Sequence, residues 1–138
     1  MYLADTGLFV TLAFYDKDSS ENTIYHKLLS DKLKVNLGYV YENVVAQLFR
    51  SAGHRLFYYT FPTPNGKSYY EIDFLLSQSG KVSPVEVKSS GYTTHTSMDA
   101  FCQKFSERIL NRYLLYPKDL KKDGQMLCLP IYMAGLLK

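Results

Sequence analysis

An α/β domain is the fold class this sequence predicts, and changes in hydrophobic period predict it. Over 37–52 the apolar residues Leu37, Tyr41, Val44, Val45, Leu48 and Phe49 recur at helical spacing. Over 55–88 the pattern shifts to short runs rich in Tyr, Phe, Val and Ile, punctuated by turn residues. A second helical stretch over 97–110 and a strand-like run over 112–116 then follow.

The elements read in order. Residues 5–14 place Leu8, Phe9, Leu12 and Ala13 at helical spacing, with Asp5 or Thr6 available as a cap. The polar stretch 16–22 reads as a loop, and 21–33 as a short helix with Ile24, Leu28 and Leu29 on one face. The helix over 37–52 ends at Gly53, a C-cap residue type. Strands are expected over 55–61, 69–76 and 82–88. The turn sequences 62–67 and 78–81 join them as an antiparallel meander. Ser89-Ser90-Gly91 breaks the last of these strands. The helix over 97–110 turns Met98, Phe101, Cys102, Phe105 and Ile109 to one side, and Thr96 with Asp99 resembles a capping box. A strand over 112–116, a lysine-bearing turn over 117–124 and a short strand over 126–129 complete the core. The apolar tail 131–137 is ambiguous. A helical extension over 1–36 therefore precedes an α/β core over 37–138.

Composition narrows the class. A chain of 138 residues suits one domain with one core. Hydrophobic residues at 46% and charged residues at 21% are the balance of a soluble globular protein. The 13 tyrosines suit half-buried strands or a contact surface, because a tyrosine buries its ring and keeps its hydroxyl wet. A net charge of +3 is too mild to argue for nucleic acid unaided. Cys102 and Cys128 form no CxxC pair and read as buried thiols in a reducing compartment. No apolar run approaches the roughly 20 residues of a membrane span, and the start lacks a signal-peptide pattern. A cytoplasmic protein is the expectation, with no membrane partner.

The chemistry-bearing residues lie on the predicted strands. Alternation places Glu86 and Lys88 on one face of a strand and Val85 and Val87 on the other. A carboxylate and an amine on a buried face need a reason, and a plain ion pair is one. Asp73 sits opposite Ile72, Phe74 and Leu76 in the preceding strand. One turn joins the two strands, so Asp73 and Glu86 become cross-strand or diagonal neighbours. Two carboxylates that close repel unless a cation lies between them, and oxygen ligands suit Mg²⁺ or Mn²⁺. Glu42 lies in the preceding helix beside its core stripe and can approach the same point.

Asp73, twelve intervening residues and then Glu86-Val87-Lys88, preceded by the helical Glu42, resembles the PD-(D/E)XK nuclease pattern. Ile72 stands where the name of the pattern has proline. Tyr2-Leu3-Ala4-Asp5-Thr6-Gly7-Leu8, Gly38-Tyr39-Val40-Tyr41-Glu42-Asn43 and Val85-Glu86-Val87-Lys88-Ser89-Ser90 resemble the C-terminal domain, of unknown function, of bacterial and archaeal AAA+-type ATPases. The resemblance runs from residue 2 to about residue 116. It implies a restriction-endonuclease-like core, a mixed central sheet flanked by helices. It implies that the chain is a fragment of a longer protein with an ATPase module upstream. It also implies a nuclease-like site on Asp73, Glu86, Glu42 and Lys88. Mg²⁺ or Mn²⁺ would be held by Asp73, Glu86 and Glu42, and nucleic acid, DNA in particular, would be the substrate. A fold that kept the site and lost the reaction, binding DNA or protein or regulating the ATPase, is the alternative. The apolar tail and the aromatic content suit contact with the ATPase module or with a second copy of the chain.

Other motifs carry less. Gly66-Lys67-Ser68 mimics the end of a P-loop, but Phe61 stands where that pattern needs its first glycine. His26, His54 and His95 have no second ligand at zinc spacing and read as surface or capping residues. Lys118, Lys121 and Lys122 read as a solvated basic turn that could touch phosphates.

Overall fold

The computed structural model describes residues 2–14, 37–91 and 94–138. The helix expected over 21–33 and His26 lie outside them. Helix α1 spans Thr6–Phe14, α2 Leu37–Ser51 and α3 Thr96–Lys104. The strands are β1 Tyr59–Pro62, β2 Tyr69–Ile72, β3 Phe74–Gln78, β4 Lys81–Val87, β5 Arg112–Tyr116, β6 Lys121–Asp123 and β7 Met126–Pro130. A five-stranded sheet has the order β3-β4-β5-β7-β6, and β1 with β2 forms a separate two-stranded sheet. The larger sheet is mixed: β3–β4 and β6–β7 are antiparallel, while β4–β5 and β5–β7 are parallel.

Alternation in the strands builds two apolar layers. Val85, Val87, Leu115 and Leu129 share one cluster with Val45, Ala46 and Phe49 of α2. Leu114, Met126 and Cys128 share the other with Met98, Phe101 and Cys102 of α3. The helices thus flank the sheet, and both cysteines are buried. The tail folds back as a 3-10 helix, Ile131–Leu136, and buries Ala134 in the α2 layer. No helix among the described residues is long and apolar enough to cross a membrane.

Four expectations are corrected. The predicted strand over 69–76 is two strands, broken by a bend at Asp73. Ile72 therefore packs in the α3 layer while Phe74 and Leu76 pack in the α2 layer, so the three do not share a face. The helix expected over 97–110 stops at Lys104. Past it Leu110 donates its amide to the Val82 carbonyl at 2.9 Å, and sheet pairing takes the chain over from the helix. Thr96 and Asp99 form no capping box, since the N-cap is His95 and Asp99 binds its ring at 2.7 Å. The lysine-bearing turn contains strand β6, which edges the sheet with charged side chains that discourage further pairing.

Two turns set the register that matters. Ser79 and Gly80 both have positive φ, 52° and 75°, the requirement of a tight two-residue hairpin between β3 and β4. Gly53 ends α2 at φ 88° with no atom within 4 Å of an added Cβ. The conformation alone therefore opposes a side chain, and Gly53→Ala should lower unfolding stability by about 1 kcal/mol in urea titrations. Gly53→Asn should recover part of that loss, because asparagine tolerates the left-handed region. Equal stability of the alanine variant and the parent would contradict this.

Candidate functional site

The β3–β4 hairpin brings the predicted acids together. Phe74 stands opposite Val85 on the ladder, so Asp73, one residue before β3, lies at the end of the hairpin where Glu86 follows Val85. The bend at Asp73 ends the first strand pairing and frees the carboxylate to turn inward. There its Oδ2 accepts the Val87 amide at 2.7 Å, which fixes the side chain across the hairpin.

Glu86 points into the α3 layer, and only 4% of it is exposed. Lys88, one residue past the end of β4, sets Nζ 3.6 Å from Glu86 Oε1. Glu86 Oε2 is buried and has no hydrogen-bond partner among the described residues. A buried carboxylate oxygen in that state is costly unless something positive or protic meets it.

Glu42 lies one turn before Val45 and two before Phe49 in α2. Both are buried in the layer between that helix and the sheet. Its charge acts on Asp73, as does that of Glu86. Burial is the main reason the Asp73 carboxyl is pushed up to about 7; the Val87 amide and Lys88 pull the other way. Glu86 is also raised, by burial first, against the charge and hydrogen bond of Lys88. Glu42 is raised by burial and then by the charge of Glu71, again opposed by Lys88. Three carboxyls thus resist ionisation around one lysine, which is what a pocket short of positive charge does.

Among the described residues, no three His, Cys, Asp or Glu side chains are grouped closely enough to hold a metal ion by themselves. Asp73 reaches the Val87 amide, next to Glu86, and the charges of Glu42 and Glu86 both act on it. Mg²⁺ commonly binds through one or two carboxylates and keeps several waters. The orphaned oxygen of Glu86 beside Asp73 fits that donor set.

Sequence reasoning missed several neighbours. Tyr2 stacks on Phe74 at 5.3 Å, and its hydroxyl is pushed up by burial and then by Glu42, Asp73 and Glu71. Asn43, 1% exposed, holds that segment in place. Its Oδ1 accepts the Leu3 amide at 2.8 Å, and its Nδ2 donates to the Leu3 carbonyl at 3.1 Å and to Thr6 Oγ1 at 3.0 Å. The pairing of Leu3 and Thr6 with Asn43 unites two of the motifs that carry the resemblance. His95 and Asp99 face the cluster from the start of α3, and the charges of both act on Glu86.

The remaining motifs stay apart from this cluster. Gly66-Lys67-Ser68 lies in the loop joining β1 to β2, closed by Thr63 hydrogen bonds to Asn65 and Ser68, and opens no helix. His54 contacts the Leu137 carbonyl at 2.8 Å, a structural role.

No curated protein and no solved structure matches the chain. A family model described as a domain of unknown function, DUF4143, matches residues 37–133. That stretch holds Glu42, Asp73, Glu86 and Lys88 and most of the 138 residues, and the chain belongs to the DUF4143 family.

Proposed function

We propose that this domain is a metal-dependent nuclease-like module of the PD-(D/E)XK type, acting on the phosphodiester backbone of nucleic acid. The observation that carries the reading is the buried, unbonded Oε2 of Glu86, beside Asp73 and Lys88 on one hairpin. The mixed sheet between α2 and α3 is compatible with the restriction-endonuclease-like core that the resemblance implies.

In this reading Asp73 and Glu86, with Glu42 from α2, would hold Mg²⁺ or Mn²⁺. Such an ion would supply an acidified water and would offset charge building on the phosphodiester. The Val87 amide keeps Asp73 aimed across the hairpin, so the site is oriented before any substrate arrives. Lys88 orients the attacking water or neutralises the scissile phosphate. Burial of Glu86 excludes bulk solvent and strengthens each of these interactions. An ATPase module in the same protein is the partner the resemblance implies.

A second reading keeps the fold as a binding or regulatory module without turnover. The lack of a third grouped ligand among the described residues favours it. Plasmid nicking separates the two. Supercoiled DNA should relax with Mn²⁺ and not with EDTA, and Lys88→Ala should lose about 100-fold or more of that rate. Nicking that is the same in the parent and in Asp73→Asn would sink the nuclease reading. No nicking by a parent protein that still binds DNA would establish the second.

A further inference from the structure

The parallel strands β4, β5 and β7 end at the same edge of the sheet, the side on which open α/β sheets gather ligands. Lys88 stands at that edge, its amide donating to the Leu115 carbonyl at 2.8 Å. Beyond Leu115, β5 closes with Tyr116 and leads into Pro117, Lys118 and Asp119. Beyond its partner Leu129, β7 leads through Pro130 to Tyr132. The segments 116–119 and 130–132 line a groove of about 470 Å³ together with Tyr41, the neighbour of Glu42. That volume falls in the range of roughly 300–1,000 Å³ that small-ligand sites occupy.

The groove is built, and Tyr41 in its lining is the sequence neighbour of Glu42. Tyr116 donates its hydroxyl to the Asp119 carbonyl at 2.6 Å, which fixes the turn carrying Lys118. Lys118 reaches back towards the chain that leaves β4, and a Cβ on Gly91 would stand 3.0 Å from its Nζ. Tyr132 is 77% exposed, an aromatic ring left in water at the groove wall. Asp119 also lines the groove, so its charge is balanced and stacking is the larger attraction it offers.

We infer that this groove takes an unpaired nucleotide of a nucleic-acid strand, with a phosphate on Lys118 and the base against the tyrosine rings. The inference rests on the nuclease-like reading of Asp73 and Glu86, and it deepens that reading by naming a single-stranded substrate region. A paired base keeps its faces inside the helix stack and cannot meet Tyr132. An unpaired base presents a face to any exposed ring, and a lysine beside it meets the backbone.

Fluorescence anisotropy on the whole chain in EDTA tests this without any cleavage. The probes are a labelled single-stranded DNA oligonucleotide, the RNA of the same sequence, and the DNA duplex. Either single strand should bind at least about 10-fold more tightly than the duplex. Tyr132→Ala should lose about 10-fold of single-strand affinity and leave duplex affinity unchanged. Lys118→Ala should lower the slope of log affinity against log salt by about 0.7. The exposed position of Tyr132 leaves the fold intact, which circular dichroism checks. Tighter duplex binding, no binding, or unchanged affinity in Tyr132→Ala overturns the inference. So does a groove that seats a second copy of the chain, seen as dimerisation lost in Tyr132→Ala with oligonucleotide binding unchanged. The nicking assay reads the nuclease-like reading separately, because Asp73→Asn should retain single-strand binding.

Discussion

Without divalent cations, Asp73→Asn should melt above the parent domain at pH 8 and close to it at pH 4. Burial, more than any neighbour, raises the Asp73 carboxyl from its ordinary 3.8 to about 7. The unfolded carboxyl loses its proton near the ordinary value, while the folded one keeps it to neutrality. Between those limits the folded state binds more protons, so stability falls as pH rises. The contribution is complete below about pH 4, declines up to about pH 7 and stays lost above that. Glu42 and Glu86 are raised in the same direction and steepen the decline.

A tenfold change in proton affinity corresponds to about 1.4 kcal/mol, so Asp73 alone destabilises the ion-free domain by a few kcal/mol at pH 8. Asparagine keeps an oxygen for the Val87 amide and carries no charge. A rise of roughly 5–10 °C in Tm follows for a chain of this length. The variant should also be indifferent to Mn²⁺. The parent should gain about 2.7 kcal/mol at 100 times the dissociation constant. A variant less stable than the parent at pH 8, or a parent that becomes more stable from pH 5 to pH 8 without metal, would show that burial does not dominate this carboxyl.

Asn43→Ala should be the most damaging polar substitution at the site, lowering unfolding stability by about 3 kcal/mol in urea. The side chain makes three hydrogen bonds to Leu3 and Thr6, 40 and 37 residues away in sequence. Truncation strands the Leu3 amide and carbonyl where water has limited access. The segment would loosen, and Tyr2 would leave its stacking position on Phe74. Hydrogen exchange at Leu3 should rise with the loss of stability. Thr6→Val added to the alanine variant should change little, because the two share one network. Thr6 also bonds Gln47 at 3.0 Å, so the single Thr6→Val change should be the milder one. Slow exchange at Leu3 in Asn43→Ala would contradict the tether.

The parts of this fold that the sequence makes legible are those with an unbroken period. The stripe of α2 names Val45 and Phe49 of its buried face, and the alternation of β4 sets Val85 and Val87 apart from Glu86 and brings Lys88 to Glu86. The bend at Asp73 is not legible, because Tyr69 to Leu76 reads as one alternating run and the break is made by tertiary pairing to two different sheets. Strand β6 escapes because Lys121-Lys122-Asp123 has no apolar member, although Asp123-Gly124 is a hairpin signal. The tether at Asn43 joins residues about forty apart, and no local rule reports such a bond. The same holds for Tyr2 and for the His95–Asp99 pair, which enter the site only once the chain has folded. Glu42 is an intermediate case. Its helix is plain in the sequence, and its aim depends on how that helix lies on the sheet.

Counting bound Mn²⁺ at pH 8, from the electron paramagnetic resonance signal of the free ion, tests the cation site on Asp73 and Glu86 most directly. The whole chain should take up one ion, and Asp73→Asn and Glu86→Gln should take up none at the same concentration. A parent chain that leaves all the Mn²⁺ free, or a Glu86→Gln chain that binds as the parent does, would contradict it.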